Sequence, residues 1–147
     1  MELLFDDNYF MKQALIEAQK AFEVNEVPVG AVITIENKII ARAHNLTERL
    51  NDVTAHAEMQ AITSASNFLN GKYLIGCTLY VTLEPCGMCM GAIYRSQLSR
   101  IVFAAYDPKH GYSQTKVSPH PKAKVSGGVM EFEAVKLLKN FFDNKRE

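Results

Sequence analysis

Two cysteines separated by two residues, Cys86 and Cys89, have the type and spacing of metal ligands. Pro85 precedes them, so we predict that a helix begins there and that both thiols lie on one helix face. The free N–H groups at a helix start lower thiol pKa values, and the thiolate is the form that binds zinc. Cys77 begins a predicted strand and fits a buried small hydrophobic residue better than a ligand.

Two cysteines are not enough, because a catalytic zinc site usually takes three protein ligands and one water. His56 is the best third ligand, since it lies at the predicted start of the preceding helix, just after Thr54, the predicted helix cap. Glu58, two residues further on, should project into the same cavity without serving as a ligand. The alternative histidines are not followed by a well-placed acid; they are His44, His110 and His120.

These residues predict one zinc ion held by His56, Cys86 and Cys89, with a carboxylate beside an open coordination position. Zinc lowers the pKa of a bound water and so supplies hydroxide near neutral pH. Deamination needs that nucleophile at an amidine-like carbon, one proton at the ring nitrogen and another at the departing amine. Glu58 is the only acidic residue placed to carry both protons in turn.

Apolar periodicity and turn residues predict an α/β sandwich. The helices are predicted at 7–23, 55–68, 85–95 and 131–144, the strands at 29–35, 38–43, 78–83 and 101–105, and a long loop at 107–128. In the closing helix, Val135, Leu138 and Phe142 form one stripe. Alternating strands and helices indicate helices on both sheet faces, and the opening hairpin makes the sheet mixed. Both site motifs fall at helix N-termini, where open α/β sheets bind ligands.

The bulk composition is that of one globular domain spanning residues 1–147, with 48% hydrophobic and 22% charged residues. The 16 basic and 16 acidic side chains cancel, which argues mildly against a polynucleotide substrate. No apolar run approaches the roughly 18 residues of a membrane helix. The first seven residues are acidic, unlike a secretory signal, so we expect a cytoplasmic protein that does not bind membranes.

Longer motifs carry a family resemblance. His56-Ala-Glu58, followed about 30 residues later by Pro85-Cys-x-x-Cys89, matches zinc nucleobase deaminases. The stretches that resemble bacterial tRNA adenosine deaminases are Pro28-Val-Gly-Ala-Val32, Thr54-Ala-His-Ala-Glu58, Leu79-Tyr-Val-Thr-Leu-Glu-Pro-Cys-Gly-Met-Cys89, Gly91-Ala92 and Phe141-Phe142. The resemblance covers nearly the whole chain.

The resemblance implies a cytidine deaminase-like fold, a three-layer α/β/α sandwich with a mixed five-stranded sheet. It implies that a wobble adenosine in a tRNA anticodon loop is converted to inosine by zinc-hydroxide attack at C6, with release of ammonia. It also implies one zinc ion per subunit and a homodimer in which both subunits contact the RNA. On the same pattern Asn45 hydrogen-bonds the flipped-out base, and we assign Ala57 and Pro85 to substrate binding.

Two other functions stay open. A deaminase of free bases or nucleosides, such as guanine or cytosine, would share the zinc chemistry, and the zero net charge slightly favours it. The basic residues after Asp107 and the aromatic C-terminus favour tRNA. A non-catalytic, zinc-stabilised RNA-binding module is the third hypothesis. Glu58 argues against it, because a structural zinc site has no use for a neighbouring carboxylate.

Overall fold

A computed structural model describes residues 5–145 of the chain. The elements are α1 (Asp7–Glu23), β1 (Gly30–Ile35), β2 (Lys38–His44), α2 (Ala57–Leu69), β3 (Cys77–Leu83), α3 (Gly87–Ser96), β4 (Arg100–Ala105), β5 (Lys124–Ser126) and α4 (Glu131–Lys145). Residues 1–4, on which part of the expected cytoplasmic location rests, lie outside the described residues. Within residues 5–145, none of the helices combines the length and apolar character needed to cross a membrane.

The five strands form one mixed sheet in the order β2-β1-β3-β4-β5. β1 pairs antiparallel with both β2 and β3, whereas β3–β4 and β4–β5 are parallel. Parallel neighbours need a crossover, and α3 supplies it between β3 and β4. The predicted mixed five-stranded sheet is therefore confirmed.

Each face of the sheet carries its own hydrophobic core. Alternate residues of β3 point to opposite sides, with Leu79 and Val81 in one cluster and Tyr80 in the other. Buried residues of α2 and α3 join the first cluster, and buried residues of α1 and α4 join the second. This is the predicted three-layer α/β/α sandwich, and it brings the N-termini of α2 and α3 to the same side of the sheet.

α1 lies so close to β1 that only glycine fits at the contact. A Cβ atom added to Gly30 would lie 2.0 Å from the carbonyl oxygen of Ala14 and 2.4 Å from the amide nitrogen of Ala18. Both distances are shorter than any van der Waals contact, and the atoms are backbone atoms that cannot rotate away. The missing side chain of Gly30 therefore sets the spacing between helix and sheet.

An ion pair joins the start of α1 to β4. Arg100 donates to Asp7 Oδ1 over 2.7 Å, and the Tyr80 hydroxyl donates to the same oxygen over 2.8 Å. The hydrogen bond from Arg100 holds the pKa of Asp7 below its usual value. This polar cluster lies at the Arg100 end of β4, at the opposite end of that strand from Ala105.

The two helices that carry the site begin later than predicted. α2 begins at Ala57, and the Thr54 hydroxyl donates to Asp52 Oδ1 over 2.7 Å, so the prediction that Thr54 caps this helix is wrong. α3 begins at Gly87 with Cys86 as its N-cap residue. The prediction that the helix begins at Pro85 is therefore wrong, because Pro85 precedes the N-cap residue and lies outside the first turn.

Two other differences lie in the C-terminal third. The predicted loop at 107–128 contains the short edge strand β5, whose residues Lys124 and Ser126 are exposed. In α4 the buried residues are Ala134 and Phe141, whereas Val135 and Phe142 are each 46% exposed. Of the predicted stripe, Leu138 packs against both cores, whereas Phe141 and not Phe142 is buried and makes an edge-to-face contact with Phe22 of α1.

Candidate metal centre

Three side chains from two helix N-termini converge on one point. His56 Nδ1 lies 3.7 Å from Cys86 Sγ and 3.4 Å from Cys89 Sγ. The three ligand atoms all lie within 4.8 Å of one another. His56 directly precedes α2, and the cysteines occupy the N-cap and first turn of α3. The structure thus brings together the three residues that the sequence predicted as ligands.

The donor geometry fits a zinc ion. With Zn–S bonds of about 2.3 Å and Zn–N bonds of about 2.0–2.1 Å, tetrahedral angles place the nitrogen about 3.6 Å from each sulfur. The two observed distances, 3.4 and 3.7 Å, lie on either side of that value. One imidazole and two thiols are also a soft donor set that suits zinc. Three protein ligands leave the fourth position open, as a catalytic site requires.

The His56 ring is held from its far side as well. A hydrogen bond with the backbone of Val53 contributes to the raised pKa of His56, after the larger effect of the hydrogen bond with Cys86. Metal-binding histidines commonly donate their second ring N–H in this way, which fixes the tautomer. Hydrogen bonding on both sides orients the ring with Nδ1 towards the thiols.

Glu58 lies beside the ligands without joining them. It belongs to the first turn of α2, is only 4% exposed and is not part of the three-residue cluster. Its carboxyl group hydrogen-bonds the Cys89 side chain, and burial raises its pKa to about 7. A carboxyl group in that range can both accept and release a proton near neutral pH.

The two thiols have unequal pKa values. Hydrogen bonds from Cys89 and then His56 lower the pKa of Cys86 to about 4. The hydrogen bond with Cys86, followed by burial, raises the pKa of Cys89. One thiolate forms readily and disfavours a second negative charge beside it, so a divalent cation is needed to hold both as thiolates.

The alternative histidines lie elsewhere. His44 Nδ1 contacts the Asn45 carbonyl oxygen at 2.9 Å, and His110 lines a surface cavity. The His120 ring contacts the Tyr94 ring in a tilted arrangement, with 5.0 Å between the ring centroids. Cys77 is fully buried and lies outside the ligand cluster.

Asn45 caps the N-terminus of α2, although it lies 12 residues before Ala57 in the sequence. Its Oδ1 accepts a hydrogen bond from the backbone N–H of Ala57 over 2.8 Å, at a position where Asn45 is only 9% exposed. Accepting that bond fixes the amide orientation, so Nδ2 is the atom turned away from the helix. Ala57 is itself fully buried. That Asn45, Ala57 and Pro85 bind substrate stays a prediction.

Two buried carboxylates that accept hydrogen bonds from backbone N–H groups were not singled out from the sequence. Glu26 is 1% exposed and accepts from the backbone of Glu48 and Arg49 over 3.1 and 2.8 Å. Glu84 is 3% exposed and directly precedes Pro85. An acidic residue continuing the apolar run of β3 was the available signal, since buried carboxylates require partners.

A cavity of about 700 Å³ opens next to the metal-binding segment. Its walls are Val27, Leu83, the stretch 106–110, and Leu138, Phe142 and Lys145 of α4. None of the four residues predicted for zinc and proton transfer lines it. The cavity approaches the metal-binding segment through Leu83, three residues before Cys86, and has room for parts of a substrate larger than one base.

The sandwich and the His-x-Glu and Cys-x-x-Cys site together define a zinc-dependent deaminase class. A family model described as the cytidine and deoxycytidylate deaminase zinc-binding region matches residues 5–105. The chain therefore belongs to this deaminase family.

Proteins similar to this chain include tRNA adenosine deaminases and a guanine deaminase. The tRNA-specific adenosine deaminase of Bacillus subtilis (strain 168) is 46% identical over 147 residues, covering 96% of this chain and 91% of that protein. A solved structure from studies of A-to-I editing by tRNA:A34 deaminases at the wobble position is 42% identical, with a TM-score of 0.82 over 88% of this chain and 99% of that chain. A guanine deaminase structure from Bacillus subtilis is 38% identical, with a TM-score of 0.66 over 69% and 65%. The resemblance to bacterial tRNA adenosine deaminases is confirmed.

Proposed function

We propose that this protein is a zinc-dependent tRNA adenosine deaminase that converts the wobble adenosine of an anticodon to inosine. The observation that carries the proposal is the buried carboxyl group of Glu58 beside three convergent zinc ligands. The tRNA-specific relatives, which match the chain almost end to end, support the substrate.

His56, Cys86 and Cys89 hold the zinc ion, one per subunit. When bound, zinc supplies a Lewis acid and a hydroxide nucleophile near neutral pH. Glu58 carries one proton to the ring nitrogen of the adenine and a second to the exocyclic amine, which leaves as ammonia. Burial beneath the site keeps bulk water from competing for those protons.

Asn45 orients the target base. Because Oδ1 is occupied by Ala57, Nδ2 is available to donate to a ring nitrogen of the flipped-out adenine. Helix α2 holds both Glu58 and the capped N–H, so the donor and the proton carrier are fixed relative to each other. Ala57 holds this donor in place, and Pro85 lies directly before the metal-binding Cys86.

The quaternary state and location belong to the same proposal. We propose a cytoplasmic homodimer, with one zinc site in each subunit and both subunits contacting the RNA. Met88 and Tyr94 of α3 are 40% and 43% exposed, and the second copy is proposed to cover them. Sedimentation velocity should show a dimer, and a monomer at micromolar concentration would refute this part.

The experiment that tests the function compares an anticodon stem-loop carrying a wobble adenosine with free adenosine, guanine and cytosine. Inosine should form only in the stem-loop. Affinity for the stem-loop should fall as salt rises, because phosphate contacts release counterions. A control stem-loop with the adenosine moved out of the wobble position should remain unmodified.

A deaminase of free bases is the second candidate, favoured by the zero net charge and by similarity to a guanine deaminase. Turnover of free guanine or cytosine with no reaction on the stem-loop would select it. The non-catalytic RNA-binding module predicts no turnover of any substrate.

A further inference from the structure

A carboxylate that takes no part in the proposed chemistry joins two segments beside the metal centre. Glu84 Oε1 accepts a hydrogen bond from the backbone N–H of Asp107 over 3.0 Å. Glu84 Oε2 accepts from the backbone N–H of Ser113 over 3.1 Å and from its hydroxyl over 2.7 Å. The donors lie 23 and 29 residues away in sequence, and the carboxylate is almost completely buried.

The segment held by Glu84, residues 107–115, is here called the cavity loop. It is also tied to the backbone that carries the zinc ligands. The N–H of Tyr112 donates to the Pro85 carbonyl over 2.8 Å, and Gly111 forms an isolated antiparallel bridge with Cys86. The two oxygens of the Glu84 carboxylate thus hold the cavity loop at Asp107 and Ser113, on either side of the residues that contact Pro85 and Cys86.

The packing around this carboxylate leaves no free space on the loop side. A Cβ atom on Gly111 would lie 2.3 Å from the carboxyl carbon of Glu84 and 2.4 Å from Oε2. Gly111 has an ordinary extended backbone, so the requirement for glycine is steric. The loop backbone can approach Glu84 only because no side chain intervenes.

We propose that Glu84 is a positioning residue that fixes the cavity loop for substrate binding and that it does not take part in the proton transfers. Residues 107–110 of this loop form one wall of the 700 Å³ cavity, opposite α4. Loss of the carboxylate would leave two loop N–H groups without acceptors and free the wall to move. The expected effect on kinetics rests on the proposed function, whereas the role of Glu84 in holding the loop rests on the hydrogen bonds alone.

Amide hydrogen exchange on the zinc-loaded protein tests the geometry without any RNA. In Glu84→Ala, exchange at Asp107 and Ser113 should accelerate by about tenfold or more, since each hydrogen bond to a charged acceptor contributes that much to an equilibrium constant. Glu84→Gln keeps one acceptor oxygen, so one of the two amides should remain protected. Unchanged protection at both amides in Glu84→Ala would overturn the proposal.

Glu26→Gln is the matched control, because it alters another buried carboxylate that also accepts backbone N–H groups. In Glu26→Gln, amide hydrogen exchange should accelerate at Glu48 or Arg49 and stay unchanged in the cavity loop. If Glu84→Ala does not fold, Gly111→Ala disturbs the same carboxylate from the loop side. A normal exchange pattern in the cavity loop of Gly111→Ala would equally overturn the proposal.

Steady-state kinetics on the anticodon stem-loop separate positioning from folding. Glu84→Gln should raise KM by about tenfold while zinc content and kcat stay within a few-fold of the wild type. A fall in kcat accompanied by zinc loss, with KM unchanged, would mean that Glu84 supports the metal centre and not the cavity loop. If the wild type does not deaminate RNA, the proposed function fails, yet the exchange experiment still decides the role of Glu84.

Discussion

Replacing Asn45 with aspartate should separate two roles of one side chain. The Oδ1 atom accepts from Ala57 at the start of α2, whereas Nδ2 is proposed to donate to the target base. Aspartate keeps an oxygen for the helix cap and removes the amide donor. Asn45→Ala removes both and serves as the comparison.

The magnitudes follow from the burial of the contact. In Asn45→Ala the N–H of Ala57 loses its acceptor at a buried position, which should lower the free energy of unfolding by about 1–3 kcal/mol. In Asn45→Asp the cap oxygen remains, and the gain of about 0.3–1 kcal/mol for a carboxylate at a helix N-terminus is opposed by the cost of burying a charge, so stability should fall less than in Asn45→Ala. Loss of the base contact should lower kcat/KM by about 5- to 150-fold, equivalent to about 1–3 kcal/mol.

The assay combines denaturant unfolding, zinc content and kcat/KM on the anticodon stem-loop for both variants. Asn45→Asp should be zinc-loaded but slow, and Asn45→Ala should be both slow and the less stable of the two. Wild-type kcat/KM in Asn45→Asp would refute the donor role. Equal destabilisation in the two variants would refute the capping argument.

Further predictions concern the metal, the packing and the pH dependence. Cys86→Ala should lose bound zinc by metal analysis, whereas Cys77→Ala should keep it; zinc at full stoichiometry in the first protein would disprove the ligand set. Gly30→Ala should lower the free energy of unfolding by about 3 kcal/mol, because its Cβ would collide with the backbone of α1, whereas Gly71→Ala meets nothing within 4 Å and should change it by less than about 0.5 kcal/mol. Folding lowers the pKa of Asp7, so its ion pair stabilises the fold fully above the ordinary pKa of 3.8 and loses that contribution as the pH falls through the folded-state value. Asp7→Asn should flatten this acid-side change in unfolding titrations, by no more than about 1 kcal/mol because the pair is one-third exposed, and an unaltered profile would contradict the assignment.

Local patterns in the sequence were sufficient for elements with a clear apolar pattern. The apolar spacing in α1 predicted its limits, 7–23, and the mostly apolar runs of β3 and β4 reflect cores on both sheet faces. The zinc ligands could also be anticipated, since ligand type and spacing are chemical constraints. Such features depend on residues a few positions apart, which a single sequence displays directly.

The features that sequence reasoning missed depend on contacts between distant segments. Thr54 is a good helix cap by type, yet Asn45 supplies the acceptor from 12 residues away. β5 has only Val125 as an apolar residue, and pairing with β4 makes it a strand. The carboxylate of Glu84 finds its partners up to 29 residues further along the chain, so its role has no local pattern.

The most direct test of the central claim measures inosine at the wobble position of an anticodon stem-loop after incubation with zinc-loaded wild type or zinc-loaded Glu58→Gln. The two proteins should hold the same amount of zinc, since Glu58 lies outside the ligand cluster. The wild type should convert the wobble adenosine, and Glu58→Gln should form inosine slower by at least about 100-fold, the contribution expected of a positioned proton carrier. Equal rates in the two proteins, or no inosine with the wild type, would contradict the account.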